Sequence, residues 1–147
     1  MRFHFPVIII DEDFRSENAS GLGIRALAKA IEVEGFEVIG VTSYGDLSSF
    51  AQQQSRASAF ILSIDDEEFS GDEAEKTIAE LRAFVEEIRC RNEEIPIFLH
   101  GETRTSRHIP NDILRELHGF IHMFEDTPEF VAKHIIREAK SYLEGIQ

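Results

Sequence analysis

Five continuous apolar runs punctuate the chain, and amphipathic stretches fill most of the intervals between them. The runs are Phe5 to Ile10, Phe36 to Val41, Ala59 to Ile64, Ile95 to Leu99 and Gly119 to Phe124. Most are apolar throughout rather than alternating, as strands covered on both faces require. Leu22, Ala26, Ala30 and Val33 recur at helical spacing and predict a first helix, with Gly35 as its stop signal. Tyr44 to Gln54 predicts a second, with Leu47, Phe50 and Ala51 on one side. Asp72 to Arg91 is the clearest helical pattern: Ile78, Leu81, Val85 and Ile88 form a stripe, and Glu75, Glu80, Glu86 and Glu87 lie mostly off it. Asn111 to Leu117 predicts one or two turns after Pro110. The last helix opens at Asp126-Thr127-Pro128-Glu129, with a capping side chain, a proline in the first turn and an acid suited to the helix dipole. Phe130, Ile135 and Leu143 fall along its length.

Alternation of strand and helix implies a parallel sheet with right-handed crossovers. Five such units predict a three-layer α/β fold with strand order 2-1-3-4-5, the order of flavodoxin- and receiver-like domains. Residues 1–147 are expected to form one domain, since no internal repeat, low-complexity tract or linker interrupts them. A chain of this size buries about two thirds of its unfolded surface and needs no disulfide or metal to stand. The twelve phenylalanines argue against disorder.

Net charge is −13, which gives the wrong field for a phosphate-rich partner. Neither nucleic acid nor an anionic membrane is an expected partner. Cys90 is the one cysteine and has no internal disulfide partner, which points to the cytoplasm. The apolar run at Val7 to Ile10 is too short for a membrane span, and the acids that follow it leave no signal-peptide cleavage site. Asn18-Ala19-Ser20 fits the glycosylation sequon, which carries no weight without secretion.

In this fold ligands sit beyond the carboxyl ends of the strands. Those ends carry Asp11, Glu12 and Asp13 after strand one, and Asp65, Asp66, Glu67 and Glu68 after strand three. His100, Gly101, Glu102 and Thr103 follow strand four, and Glu125 and Asp126 follow strand five. Asp11, Glu12, Asp13, Asp65 and Asp66 thus form an acidic strand-end cluster, in which Asp11, Asp13 and Asp65 are weak candidates for a hard cation such as Mg²⁺ or Ca²⁺. Acids at these ends resemble a response-regulator receiver. The resemblance implies that Asp65 or Asp66 would accept phosphate, with Thr103 as a late match for the family's hydroxyl. The receiver's lysine after strand five is missing, because Phe124 leads into Glu125 and Asp126. A degenerate acidic edge on a receiver-like scaffold is the alternative.

Other patterns say less. Gly21-Leu22-Gly23-Ile24-Arg25-Ala26 fits a dinucleotide fingerprint, but ten residues separate it from strand one. The better reading is a flexible entry into the first helix, with Ser20 as its cap. The histidines are scattered, with no zinc spacing. Thr103 to His108 is a basic, hydroxyl-rich loop, either an anion contact or an ordinary solvated loop.

Several phrases taken together resemble one family. They are Asp11-Glu12-Asp13-Phe14-Arg15-Ser16, Ser20-Gly21-Leu22-Gly23, Val41-Thr42-Ser43-Tyr44-Gly45-Asp46, Ile95 to Glu102, and Phe124-Glu125-Asp126-Thr127-Pro128-Glu129-Phe130. In this order they resemble the N-terminal wing domain of bacterial Orn/Lys/Arg decarboxylases, fold-type-I pyridoxal-phosphate enzymes. Arginine or lysine enzymes look nearer than ornithine ones, and arginine slightly nearest.

The resemblance implies a division of labour. The family's cofactor lysine sits in a Ser-x-His-Lys motif that this sequence lacks, so the chain alone is expected to hold no catalytic or cofactor-binding residue. Pyridoxal phosphate and the catalytic domain would belong to a parent chain beyond residue 147. The partners implied are the remainder of that chain and other copies, from dimer to decamer; because the acid excess, 28 acidic against 15 basic residues, repels copies at neutral pH and is neutralised by protonation, acidification is expected to favour association in a family that serves acid resistance. The alternative is a stand-alone pseudo-receiver in signalling. An FMN carrier is a poorer fit, because the loop after strand one lacks a hydroxyl-rich phosphate cradle.

Overall fold

A computed structural model describes residues 5–42, 57–64, 73–91, 94–101, 109–122 and 125–145. Five parallel strands form one sheet: β1 (Val7–Ile10), β2 (Val38–Val41), β3 (Ala59–Ser63), β4 (Ile97–Gly101) and β5 (Gly119–His122). Their order is β2-β1-β3-β4-β5, as the sequence pattern predicts. The described helices are α1 (Ala19–Val33), α2 (Glu73–Arg91), α3 (Asn111–Leu114) and α4 (Pro128–Gly145). The helix expected over Tyr44 to Gln54 lies outside the described residues.

Side chains alternate across each strand, so every strand feeds two cores. Val7 and Ile9 join Ala59, Ile61 and Phe98 on one face, beneath α1 and α4. Ile8 and Ile10 join Leu62, Ile64, Ile97 and Leu99 on the other, beneath α2 and α3. Full burial of one such aliphatic side chain is worth about 1.5–3 kcal/mol. This double burial is why the strands read as unbroken apolar runs.

α2 buries Leu81, Val85 and Ile88 as expected, with Phe84 beside them and Ile78 partly covered. Phe84 meets Phe60 of β3 edge to face, with ring centroids 6.1 Å apart. α3 is shorter than the sequence suggested. Pro110 precedes it and supplies no side-chain cap.

α1 corrects the sequence reading. Its buried face is Gly21, Ile24, Leu27, Ala28 and Ile31. The stripe Leu22, Ala26, Ala30 and Val33 points mostly the other way: Leu22, Ala26 and Val33 are exposed, and Ala30 is half-buried. Both sets have helical spacing. The larger side chains Ile24, Leu27 and Ile31 win because they remove more apolar surface from water. The cap is also different: Asn18, the sequon asparagine, accepts from the Gly21 N–H at 2.8 Å, while Ser20 lies inside the helix. Gly35 ends the helix region with φ of 100°, a left-handed conformation that glycine adopts at no steric cost. On α4, Phe130 is likewise turned outward, and Val131, Ala132, Ile135, Ile136 and Ala139 face the core.

Candidate functional site

The loop between β1 and α1 is held by its own polar groups. Asp11 is buried, and its Oδ1 accepts the Asp13 N–H at 2.8 Å. Asp13 Oδ1 in turn accepts from Ser16 Oγ and Asn18 Nδ2, both at 3.3 Å. Arg25 reaches back from α1 and donates to the Phe14 and Ser16 carbonyls at 2.6 and 2.7 Å. Gly21 makes the fold-back fit, because a Cβ there would strike the carbonyl oxygens of Ser16 and Asp13. A Cβ at Gly23 would meet nothing within 4 Å. The first glycine of the dinucleotide-like pattern is therefore a close-packing residue that seats the loop.

Asp11 and Asp13 thus serve the loop, and Glu12 is exposed beside them. Asp65 and Asp66 fall outside the described residues, as do Thr103 and the basic loop to His108. Among the described residues, no group of three His, Cys, Asp or Glu side chains comes together as a metal site.

The described polar groups at the strand ends gather on β3, β4 and β5. His100, expected just after strand four, is within β4, which runs on to Gly101. It pairs in register with Ser63 of β3, and Ser63 Oγ lies 3.1 Å from its Nδ1. Burial pushes the His100 imidazole down to about 4, against a weaker opposing pull from Asp126. At neutral pH this ring is uncharged and a weak base. Asp126 is expected to cap α4; its Oδ2 accepts the His122 N–H at 2.9 Å. Asp11, Glu125 and Asp126 stand at these ends, and the sequence after β5 carries no lysine before α4.

A second histidine group lies toward the other ends of the strands and eluded the sequence reading. His118 precedes β5, and His134 stands on α4. Their rings flank Phe98, with centroid distances of 6.2 and 5.7 Å. Burial first, then the positive charge of Arg89, lowers the His118 pKa. No sequence spacing announces this group, since β4, the residue before β5 and α4 each supply one ring.

All four lysines, Lys29, Lys76, Lys133 and Lys140, are exposed on helices. That placement does not fit a pyridoxal-phosphate site, where the Schiff-base lysine is enclosed against water. No described helix is long and apolar enough to cross a membrane.

Comparison with known proteins separates the architecture from the lineage. The receiver domain of a response regulator from Clostridium thermocellum superposes with a TM-score of 0.64 at 11% identity, covering 94% of this chain and 96% of that one. It shares the fold. Lysine decarboxylase A of Pseudomonas aeruginosa superposes with a TM-score of 0.82 at 25% identity, over 98% of this chain and 19% of that one. By sequence, lysine decarboxylase LdcA of that organism is 26% identical over 145 residues, 97% of this chain and 19% of the relative. The lysine decarboxylase LdcF of Francisella novicida has a TM-score of 0.68 at 15% identity, over 97% of this chain and 18% of that one. These names give the slight lean toward arginine no support. The family description Orn/Lys/Arg decarboxylase, N-terminal domain, matches residues 19–142, from the first residue of α1 almost to the end of α4, and the chain belongs to that family.

Proposed function

We propose that the chain is a non-catalytic assembly domain of a pyridoxal-phosphate-dependent basic amino-acid decarboxylase of the cytoplasm. In this reading a catalytic domain that binds the cofactor follows residue 147, and the partners are that domain and other copies of the chain. The observation that carries the reading is the match along nearly the whole chain to about one fifth of a lysine decarboxylase. The exposed lysines support it, because they leave the covalent chemistry to another part of the protein. The acidic strand ends at Asp11, Glu12, Asp13, Asp65 and Asp66 are then a remnant of receiver architecture.

A chimera tests this. The Pseudomonas enzyme is prepared without its matching segment and again with residues 1–147 of this chain in its place. Sedimentation velocity is expected to show a smaller particle for the truncated enzyme and restored assembly for the chimera. Equal particle sizes for both would remove the assembly role. The stand-alone pseudo-receiver remains the second reading, on the ground that the chain covers a receiver structure almost end to end.

A further inference from the structure

The two helical faces of the domain are unlike in a way that fits them to each other. On the α1/α4 face, Leu22, Val33 and Phe130 are 56%, 78% and 72% exposed. Helical periodicity places Leu22, Ala26, Lys29 and Val33 on the outward side of α1, opposite Ile24 and Leu27. On α4 it places Phe130, Lys133, Arg137 and Lys140 outward, opposite Val131, Ile135 and Ala139. Glu129 and Glu144 stand at the two ends of that row, and Glu32 and Glu34 are exposed on either side of Val33. Large apolar side chains and four cations therefore share one surface of a domain whose net charge is −13.

The α2 face is the reverse. Its outward positions are the small residues Ala79, Ala83 and Cys90, flanked by the exposed acids Glu75, Glu80, Glu86 and Glu87, with Lys76 as the one exposed base among the described side chains of α2. The described ion pairs of the domain join α2 to α3 and to the turn just after it, through Arg82 with Asp112 and Arg89 with Glu116. They use other arcs of α2.

We propose that the outer face of α1 and α4 docks on the outer face of α2 in a second copy of this chain. Charge complementarity selects the occupant: the bases of one copy meet the acids of the next, and large apolar side chains lie against small ones. The inference rests on the assembly reading and names its surfaces. Because the two surfaces lie on opposite sides of one sheet, a single copy cannot satisfy itself. The contact is head-to-tail, a geometry that closes into a ring or extends as a filament.

The test is sedimentation velocity on the 147-residue chain at pH 7. At about 0.1 M salt the screening length is about 10 Å, so the repulsion of whole domains fades while contact pairs persist. The wild type is expected to associate as concentration rises. Lys133→Glu with Arg137→Glu is expected to weaken association about tenfold or more, and Glu80→Lys with Glu86→Lys equally. All four positions are exposed, and thermal melts check that the variants fold. A mixture of the two reversed variants is expected to associate although neither does alone, since each then offers the charge the other lacks. Phe130→Ser is expected to weaken association without touching charge.

A wild type that stays monomeric at every concentration overturns the docking, and the decarboxylase chimera still decides the assembly role. Association that both reversals leave intact removes these surfaces while the assembly role stands. A mixture that fails to recover also removes them.

Discussion

The two faces of the sheet solve the same packing problem with different polar chemistry. Beneath α1 and α4 the interior polar groups are Asp11, at the end of β1, and histidines. His100 alternates with Phe98 onto that side, and His134 closes over the Phe98 ring. Beneath α2 and α3 the polar work falls to arginines at the rim, which pair with Asp112 and Glu116. Histidines change charge within the physiological range, and arginines do not. The buried imidazole of His100 sets the α1/α4 face apart from the other, where the His122 ring stands beside Phe120, although their apolar layers are alike.

That likeness gives the largest expected effect. Ile135 of α4 and Leu81 of α2 are both almost fully buried, each at the centre of its own layer. Truncation to alanine at either site is expected to cost about 2–5 kcal/mol, as loss of buried methyls plus an unfilled cavity. Urea denaturation of the two variants checks it. A difference of more than about 2 kcal/mol between them would show that one layer carries the fold and the other decorates it.

The proton-sensitive face yields the next effect. An unfolded His takes up its proton near pH 6.5, whereas His100 in the folded chain resists until about 4. Between those values the unfolded state binds more protons, so acidification favours it. The stability is whole above pH 6.5, is lost as pH falls toward 4, and amounts to about 3 kcal/mol. His100→Asn is expected to remove that part of the slope when denaturation at pH 7 is compared with pH 4.5. An unchanged slope would mean that His100 protonates without disturbing the α1/α4 layer.

The same two faces show what the sequence could and could not disclose. Strand positions and sheet order were legible because both faces of the central strands are covered, so Val7 to Ile10 and Ala59 to Leu62 carry no polar interruption. The α2 face was legible because its stripe is bounded by charge. The α1 face was not, because Leu22, Ala26 and Val33 have the same spacing as Ile24, Leu27 and Ile31, and few charges mark its solvent side. The candidate site was legible only as residue types. That Asp11 and Asp13 tie down a loop follows from that loop folding back onto α1, which local spacing does not encode. His118, His134 and Phe98 meet only because β4 and β5 are neighbours and α4 crosses behind them.

Two glycines two residues apart sharpen the account of that loop. Gly21→Ala drives a methyl into fixed backbone carbonyls and is expected to destabilise by about 1–3 kcal/mol, as overpacking does. Gly23→Ala meets open space inside the helix and is expected to stabilise by up to about 1 kcal/mol. Thermal melts of the pair check both signs. If both variants melted lower, the loop would not be what makes Gly21 special.

The arginine face gives the smallest effects, and its two pairs differ in kind. Arg82 and Asp112 are both open to water, and although their hydrogen bonds raise one pKa and lower the other, screening leaves little net stability. Arg89 is mostly covered. It donates to Glu116 Oε2 at 3.0 Å and to the backbone carbonyls of Ile95 and Glu116 at 2.7 and 2.5 Å, tying α2 to the entry of β4 and the exit of α3. Arg89→Met keeps the stem but strands two carbonyls, for an expected loss of about 2 kcal/mol. Arg82→Met is expected to leave the melting temperature unchanged within error. Both differences are expected to be the same at pH 7 and pH 5. A pH-dependent Arg89 effect would instead mean that His118, whose pKa Arg89 depresses, links the two faces.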